Sequence, residues 1–118
     1  PLDEATVESG CMQFIPGSHK GDLCWHRHID NDPLIHGLMT DDVDPSKAVA
    51  CPLAPGGATF HSYRTLHHTA PNTTDNPRRA YILVCAGPEK KRDTPAPRPW
   101  SEEEREAMDK AGLDVPLL

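Results

Sequence analysis

Aromatic side chains are scarce in this chain, at 5% of 118 residues, and proline is abundant, at 13. Mean hydropathy is -0.60. A domain of this length buries roughly two thirds of its unfolded surface, and so few large rings make that hard to reach unaided. The chain is long enough for at most one domain. No apolar run approaches the ~20 residues of a membrane-spanning helix, and nothing at Pro1 resembles a signal peptide. An excess of positive charge is also missing. The net charge of -6 argues against nucleic acid or an anionic membrane surface as partner. There are no internal repeats and no Cys-x-x-Cys. Cys11, Cys24, Cys51 and Cys85 are widely spaced. They read as reduced thiols of a cytoplasmic protein, with Cys11 and Cys85 on buried strands.

What is present centres on residues 66–79, Leu-His-His-Thr-Ala-Pro-Asn-Thr-Thr-Asp-Asn-Pro-Arg-Arg. An imidazole on a strand can ligate a first-row metal through one ring nitrogen. Strand side chains alternate, so His67 and Thr69 share a face and His68 takes the other. Asn72 to Pro77 is dense in turn formers and reverses the chain. The run Ala80 to Cys85 then predicts a returning strand, with Arg78, Ala80, Ile82 and Val84 on one face and Arg79, Tyr81 and Leu83 on the other. A guanidinium binds a carboxylate through two parallel hydrogen bonds. A metal at one end and an arginine at the other suits a short dicarboxylic acid. His68 and Arg79 show the same eleven-residue spacing as His67 and Arg78, so spacing alone does not choose between the pairs.

These residues resemble the phytanoyl-CoA dioxygenase family of Fe(II)/2-oxoglutarate oxygenases. The family's distal motif reads Leu-His-x-Ser-x-x-Asn with an arginine eleven residues past the histidine. Leu66, His67, Thr69, Asn72 and Arg78 occupy those places, with Thr for Ser. Residues 2–20, including Gly10-Cys11-Met12-Gln13-Phe14-Ile15-Pro16-Gly17-Ser18-His19, are also similar to the family, and the likeness runs from residue 1 to about 86. The resemblance implies that His67 is the distal iron ligand and that Thr69 and Arg78 hold the far carboxylate of 2-oxoglutarate. It implies an all-β fold, part of a double-stranded β-helix (a jelly-roll, cupin-like barrel). The implied reaction hydroxylates a small organic substrate while 2-oxoglutarate is converted to succinate and carbon dioxide, and it admits ascorbate as a supporting reductant. The family's other two ligands form a His-x-Asp motif upstream of the segment that begins at Leu2. On this reading the chain is a C-terminal fragment lacking the upstream half of its own domain, and alone it is expected to be inactive.

Along the rest of the chain, strands are expected at Cys11–Ile15, Ala48–Pro52 and Ala58–Tyr63, with turns at Pro16-Gly17-Ser18 and Pro55-Gly56. Gly10 permits a tight turn after the acidic, irregular residues 1–9. Residues 21–47 read as a long loop with little regular structure. That loop holds the rival sites. His28-Ile29-Asp30 is formally His-x-Asp, so His28 and Asp30 are an alternative metal pair, but they lie downstream of the segment that the family's motif precedes. His26-Arg27-His28 is formally the His-x-His of cupins. Cys24, His26, His28 and His36 could form a zinc-binding module, although structural zinc sites draw paired ligands from two places. A further alternative is an inactive barrel that binds a small carboxylate. His19 and His61 read as structural histidines. Residues 1–87 form the oxygenase part, 88–100 a charged, proline-rich linker, and 101–118 a helix and tail. Ser101 and Glu104 compose a capping box, and Gly112 is the helix stop.

Overall fold

The computed structural model describes residues 1–35, 37–88, 93 and 99–113, of which 99 and 100 are described by backbone alone. The described residues divide into two units, Pro1–Leu23 with Asp44–Ala86, and Cys24–Val43 with Gly87–Leu118.

The first unit is built on an antiparallel sheet. Its strands are β1 (Met12–Phe14), β4 (Val49–Ala50) and β5 (His67–Thr69), in the order β4-β1-β5. The middle strand is thus the first in sequence. Phe14 faces Val49 on one side and His67 on the other; Gln13 faces Ala50 and His68; Met12 faces Thr69. Directly opposed residues share a sheet face. Met12, Phe14, Val49, His67 and Thr69 therefore lie on one face, and Gln13, Ala50 and His68 on the other. Backbone bonds extend the pairing beyond the strands, from Cys51 N–H to the Met12 carbonyl and from Ile15 N–H to the Leu66 carbonyl, both 2.9 Å.

Turn chemistry sets the strand ends. Gly17 (φ 80°) and Gly56 (φ 84°) sit in left-handed backbone. Each follows a proline, the arrangement of a type II turn, and the turns close with bonds from Ser18 to Ile15 and from Gly57 to Ala54. Gly10 (φ 81°) is more constrained, because a Cβ there would strike the Ala70 carbonyl oxygen. It ends a loop in which Thr6 N–H donates to Ser9 Oγ and Ser9 N–H donates to Thr6 Oγ1. The expected strands at Cys11–Ile15 and Ala48–Pro52 are present as β1 and β4. The expected strand at Ala58–Tyr63 is not. Among the described residues that stretch has no ladder partner, and its end is bent by a Ser62–Thr65 turn (Thr65 N–H to the Ser62 carbonyl, 2.9 Å).

The segment Ala80–Cys85 is not a hydrogen-bonded strand either. Ile82 is 81% exposed and Val84 88%. The pattern is that of a strand, but no neighbour among the described residues offers a ladder, and period-two alternation does not supply one. Cys85 is accordingly exposed rather than on a buried strand, whereas Cys11 is buried at 1% exposure. Ala5 and Cys11 are the buried apolar side chains among the described residues.

The second unit contains the antiparallel pair β2 (Arg27–His28) and β3 (Leu38–Met39) and the helix α1 (Pro99–Ala111). The loop 21–47 thus carries more regular structure than its composition implied. Arg27 fixes the pair by a two-pronged bond to Asp41, with both N···O distances 3.0 Å. The helix begins at Pro99, two residues before Ser101. Proline is suited to a first turn, where its missing N–H costs nothing, so Ser101 is inside the helix rather than its cap. The other end is as expected. Gly112 (φ 66°) donates to the Asp109 carbonyl and Leu113 to that of Met108, the paired bonds of a Schellman stop. Most of the linker and the residues after 113, like His36, lie outside the described residues. Among the described residues no helix is long and apolar enough to cross a membrane.

Candidate functional site

His67 lies on β5, with Thr69 two residues on along the same face. Its Nδ1 is 2.6 Å from the Thr65 carbonyl oxygen. A carbonyl can only accept, so Nδ1 carries a proton, and in the neutral ring Nε2 is then bare, the arrangement found where an imidazole binds a metal and its second nitrogen is held by a backbone carbonyl. His68 faces Gln13 on the opposite side of the sheet.

The turn after β5 is held by Asn72. Its Oδ1 accepts from the N–H and hydroxyl of Thr74 (2.9 and 2.8 Å), and its Nδ2 donates to the Asn76 carbonyl (2.7 Å). Thr73 ties the same turn to the Glu8 carbonyl through N–H and hydroxyl. The chain therefore returns along the N-terminal segment, where Leu2 N–H donates to the Arg79 carbonyl (2.8 Å).

The two arginines now separate. Arg79 grips Asp3 with Nε and Nη2 at 2.9 and 2.8 Å, and its N–H donates to the same carboxylate at 2.7 Å. These bonds hold the Asp3 carboxyl down at about 2. Arg79 is thus occupied by the fold. Arg78 is half-buried, and its Nε is buried with no hydrogen-bond partner. A buried guanidinium N–H without an acceptor is costly, and it fits an incoming carboxylate oxygen. The phase that pairs His67 with Arg78 is the one in which the arginine is unspent.

A pocket of about 450 Å³ is lined among others by Phe14, His19, Cys51, Thr59 and His61; His67 does not line it, but its ring packs against those of Phe14 and His61. His61 was read as an ordinary histidine of a strand face. It packs instead against His67, with ring centroids 4.7 Å apart, and against Phe14 at 4.8 Å. Partial desolvation and the neighbouring His67 lower its pKa below the usual imidazole value. Ser62, a turn former directly after it, was the available sign that the chain bends there instead of running on as a strand. Asp3 was missed as well; a lone acidic residue near a terminus gives no sign of its partner.

The rival residues fall in the second unit. His28 is 4% exposed, with Nε2 4.0 Å from Glu103 Oε2 of α1. Asp30 is exposed and in left-handed backbone (φ 54°). Cys24 Sγ donates to the Asp42 carbonyl. Among the described residues, no three His, Cys, Asp or Glu side chains are grouped so as to hold a metal ion. The described residues alone therefore do not assemble a two-histidine, one-carboxylate iron site; His67 is one suitable donor. For a carboxylate the chemistry is suited at Arg78, whose buried Nε has no hydrogen-bond partner among the described residues.

The family model for phytanoyl-CoA dioxygenase (PhyH) matches residues 1–80. The chain belongs to this family. A probable alpha-ketoglutarate-dependent hypophosphite dioxygenase of Stutzerimonas stutzeri is 32% identical over 87 residues, covering 70% of this chain and 30% of that protein. A methylphosphonate hydroxylase of Gimesia maris is 35% identical over 83 residues, with the same coverage of each. The crystal structure of EvdO2 from Micromonospora carbonacea var. aurantiaca is 65% identical, with a TM-score of 0.59, over 63% of this chain and 30% of that one. A second structure of EvdO2 is complexed with 2-oxoglutarate, with the same identity and coverage. The chain thus spans about 30% of the length of the curated relatives it matches.

Proposed function

We propose that this chain carries the distal part of an Fe(II)/2-oxoglutarate oxygenase site within a double-stranded β-helix. The observation that carries the reading is the buried, unpartnered Nε of Arg78, eleven residues past a histidine whose Nε2 is bare. Arg78 and Thr69 would hold the far carboxylate of 2-oxoglutarate, and His67 would give one ligand to iron. The remaining ligands, a histidine and a carboxylate, would come from outside the described residues. When bound, iron and 2-oxoglutarate supply the oxidising chemistry. That chemistry would hydroxylate a substrate C–H bond while 2-oxoglutarate is converted to succinate and carbon dioxide. The chain's own contribution is orientation: a fixed imidazole tautomer and a guanidinium held ready for a carboxylate. The exposed apolar run Tyr81–Val84 is consistent with the barrel reading, since a barrel would cover one of its faces. Free thiols at four widely spaced cysteines fit a reducing, cytoplasmic compartment. The substrate is proposed only as a small organic molecule.

The test is a graft. Residues 1–80 replace the matching segment of EvdO2, and Fe(II) and 2-oxoglutarate binding are measured by calorimetry. Both ligands are expected to bind, and His67→Ala is expected to abolish iron binding while His28→Ala and Asp30→Ala leave it unchanged. The ungrafted chain, given Fe(II), ascorbate and 2-oxoglutarate, is expected to release no succinate. Iron loss in Asp30→Ala would return the ligand role to the loop pair. Binding of 2-oxoglutarate without iron would favour the inactive carboxylate-binding barrel.

A further inference from the structure

We propose that His61 is a positioning residue for His67, a wall that keeps its imidazole in one orientation and one tautomer before any metal arrives. The inference rests on the reading of His67 as a ligand, but its geometry stands apart from that reading. His67 is exposed on its strand, and a single bond, Nδ1–H to the Thr65 carbonyl, restrains one nitrogen. One hydrogen bond leaves an exposed ring free to swing. Two further rings limit that swing: His61 at 4.7 Å, inclined by 59°, and Phe14 at 6.1 Å, inclined by 34°. His61 and Phe14 are themselves 4.8 Å apart, so the three rings close a triangle. These separations and tilts lie in the range favoured by aromatic pairs.

A single turn provides both restraints. The bond from Thr65 N–H to the Ser62 carbonyl folds the chain between His61 and His67. The turn brings the His61 ring back over His67, and it ends at Thr65, whose carbonyl receives the Nδ1 proton. Leu66 N–H, bonded to Ser18 Oγ at 2.8 Å, and the Arg64 guanidinium, bonded to the Gly21 carbonyl, anchor the turn to the loop after β1. A ligand is useful to a metal site when its rotamer is fixed by packing and its second nitrogen by a hydrogen bond. His61 supplies the packing half of that pair.

The test needs no metal. Long-range proton–nitrogen NMR at pH 8, on the chain with nitrogen-15-labelled histidine, reads which nitrogen of His67 is protonated. The Nδ1–H form is expected to dominate in the unaltered chain. His61→Ala and His61→Gln are expected to raise the Nε2–H fraction about fivefold, the ratio that one aromatic contact corresponds to. His61→Phe, which keeps a ring in place, is expected to leave the fraction as it is. Amide shifts of Phe14 and Thr69 report whether the sheet survives. If His61→Ala unfolds it, the comparison of Phe with Gln decides. Equal tautomer fractions in those two variants would overturn the proposal, as would an unshifted fraction in a folded His61→Ala chain. Failure of iron binding in the graft, with the tautomer result intact, would count against the ligand reading and not against the positioning role.

Discussion

β5 and the segment Tyr81–Val84 are close in sequence and opposite in outcome. β5 reads His-His-Thr, a poor advertisement for a strand, yet it is fully laddered to β1. Tyr-Ile-Leu-Val is among the strongest strand sequences available, yet it makes no ladder with any described residue and is 75–88% exposed. Strand propensity describes how a side chain fits a half-buried pleat. The pleat itself comes from a partner, and only one of the two stretches has one here. The two arginines between them differ for a related reason. Arg79 has Asp3 opposite it, and Arg78 has no acceptor at its buried Nε.

The largest effect is expected from taking the partner away from β5. Gly10→Val would place a side chain against the Ala70 carbonyl and force a β-branched residue into left-handed backbone. A loss on the order of 3 kcal/mol is expected. Urea unfolding followed by circular dichroism measures it, and an unchanged midpoint would mean that β5 is held by something other than its junction with the Gly10 loop.

The arginine contrast is sharpened in the EvdO2 graft. Arg78→Lys keeps the charge and loses the fork, so the 2-oxoglutarate dissociation constant should rise about tenfold or more, for a charged hydrogen bond of roughly 1.5–3 kcal/mol. Arg79→Ala should change it by less than about threefold, as expected for an ion pair open to solvent. The reverse order in a calorimetric titration would show that the site uses the other phase, with His68 and Arg79.

A smaller effect is expected from pH. Bonds from Arg79 lower the Asp3 carboxyl from 3.8 to about 2 in the folded chain. The folded state therefore binds this proton less readily than the unfolded state. The contribution is complete above the unfolded value and fades as pH falls from about 4 towards 2. Asp3→Asn should flatten that part of the stability–pH curve; a curve that keeps its slope would assign the acid sensitivity to other carboxylates.

The smallest effect should come from the strand without a partner. Ile82→Thr is expected to shift the unfolding free energy of this chain by no more than about 0.5 kcal/mol, as for other exposed sites. A loss above about 1 kcal/mol would show that the segment is packed in solution.

Local chemistry was the legible part of this sequence. Gly10, Gly17, Gly56 and Gly112 sit where turn and stop rules put them, and β1, β4 and the helix stop follow from the same rules. The choice of His67 over His68 came from the phase of the motif, and the structure sets His67 on the Phe14 face and His68 on the other. Pairing was not legible. Ala58–Tyr63 and Ala80–Cys85 alternate as strands do, but alternation is silent about what lies alongside. The bonds from Arg79 to the Asp3 carboxylate span 76 positions, and no local pattern encodes them. Within the loop 21–47, β2 and β3 went unread because strands of two residues are too short to leave a period.

The sheet order β4-β1-β5 also sets a timetable for the growing chain. β1 emerges first and must occupy the middle, but its neighbours begin only at residues 49 and 67. Between β1 and β4 the ribosome delivers Cys24–Val43, which belongs to the other unit. Closing loops of this length costs entropy that grows only slowly with the residues enclosed, but topologies dominated by distant contacts fold slowly. Leu2 and Asp3 wait longest, until Arg79 has been made. Through that interval β1 is without both of its partners in this sheet, which leaves its edges open to a chaperone or a second nascent chain.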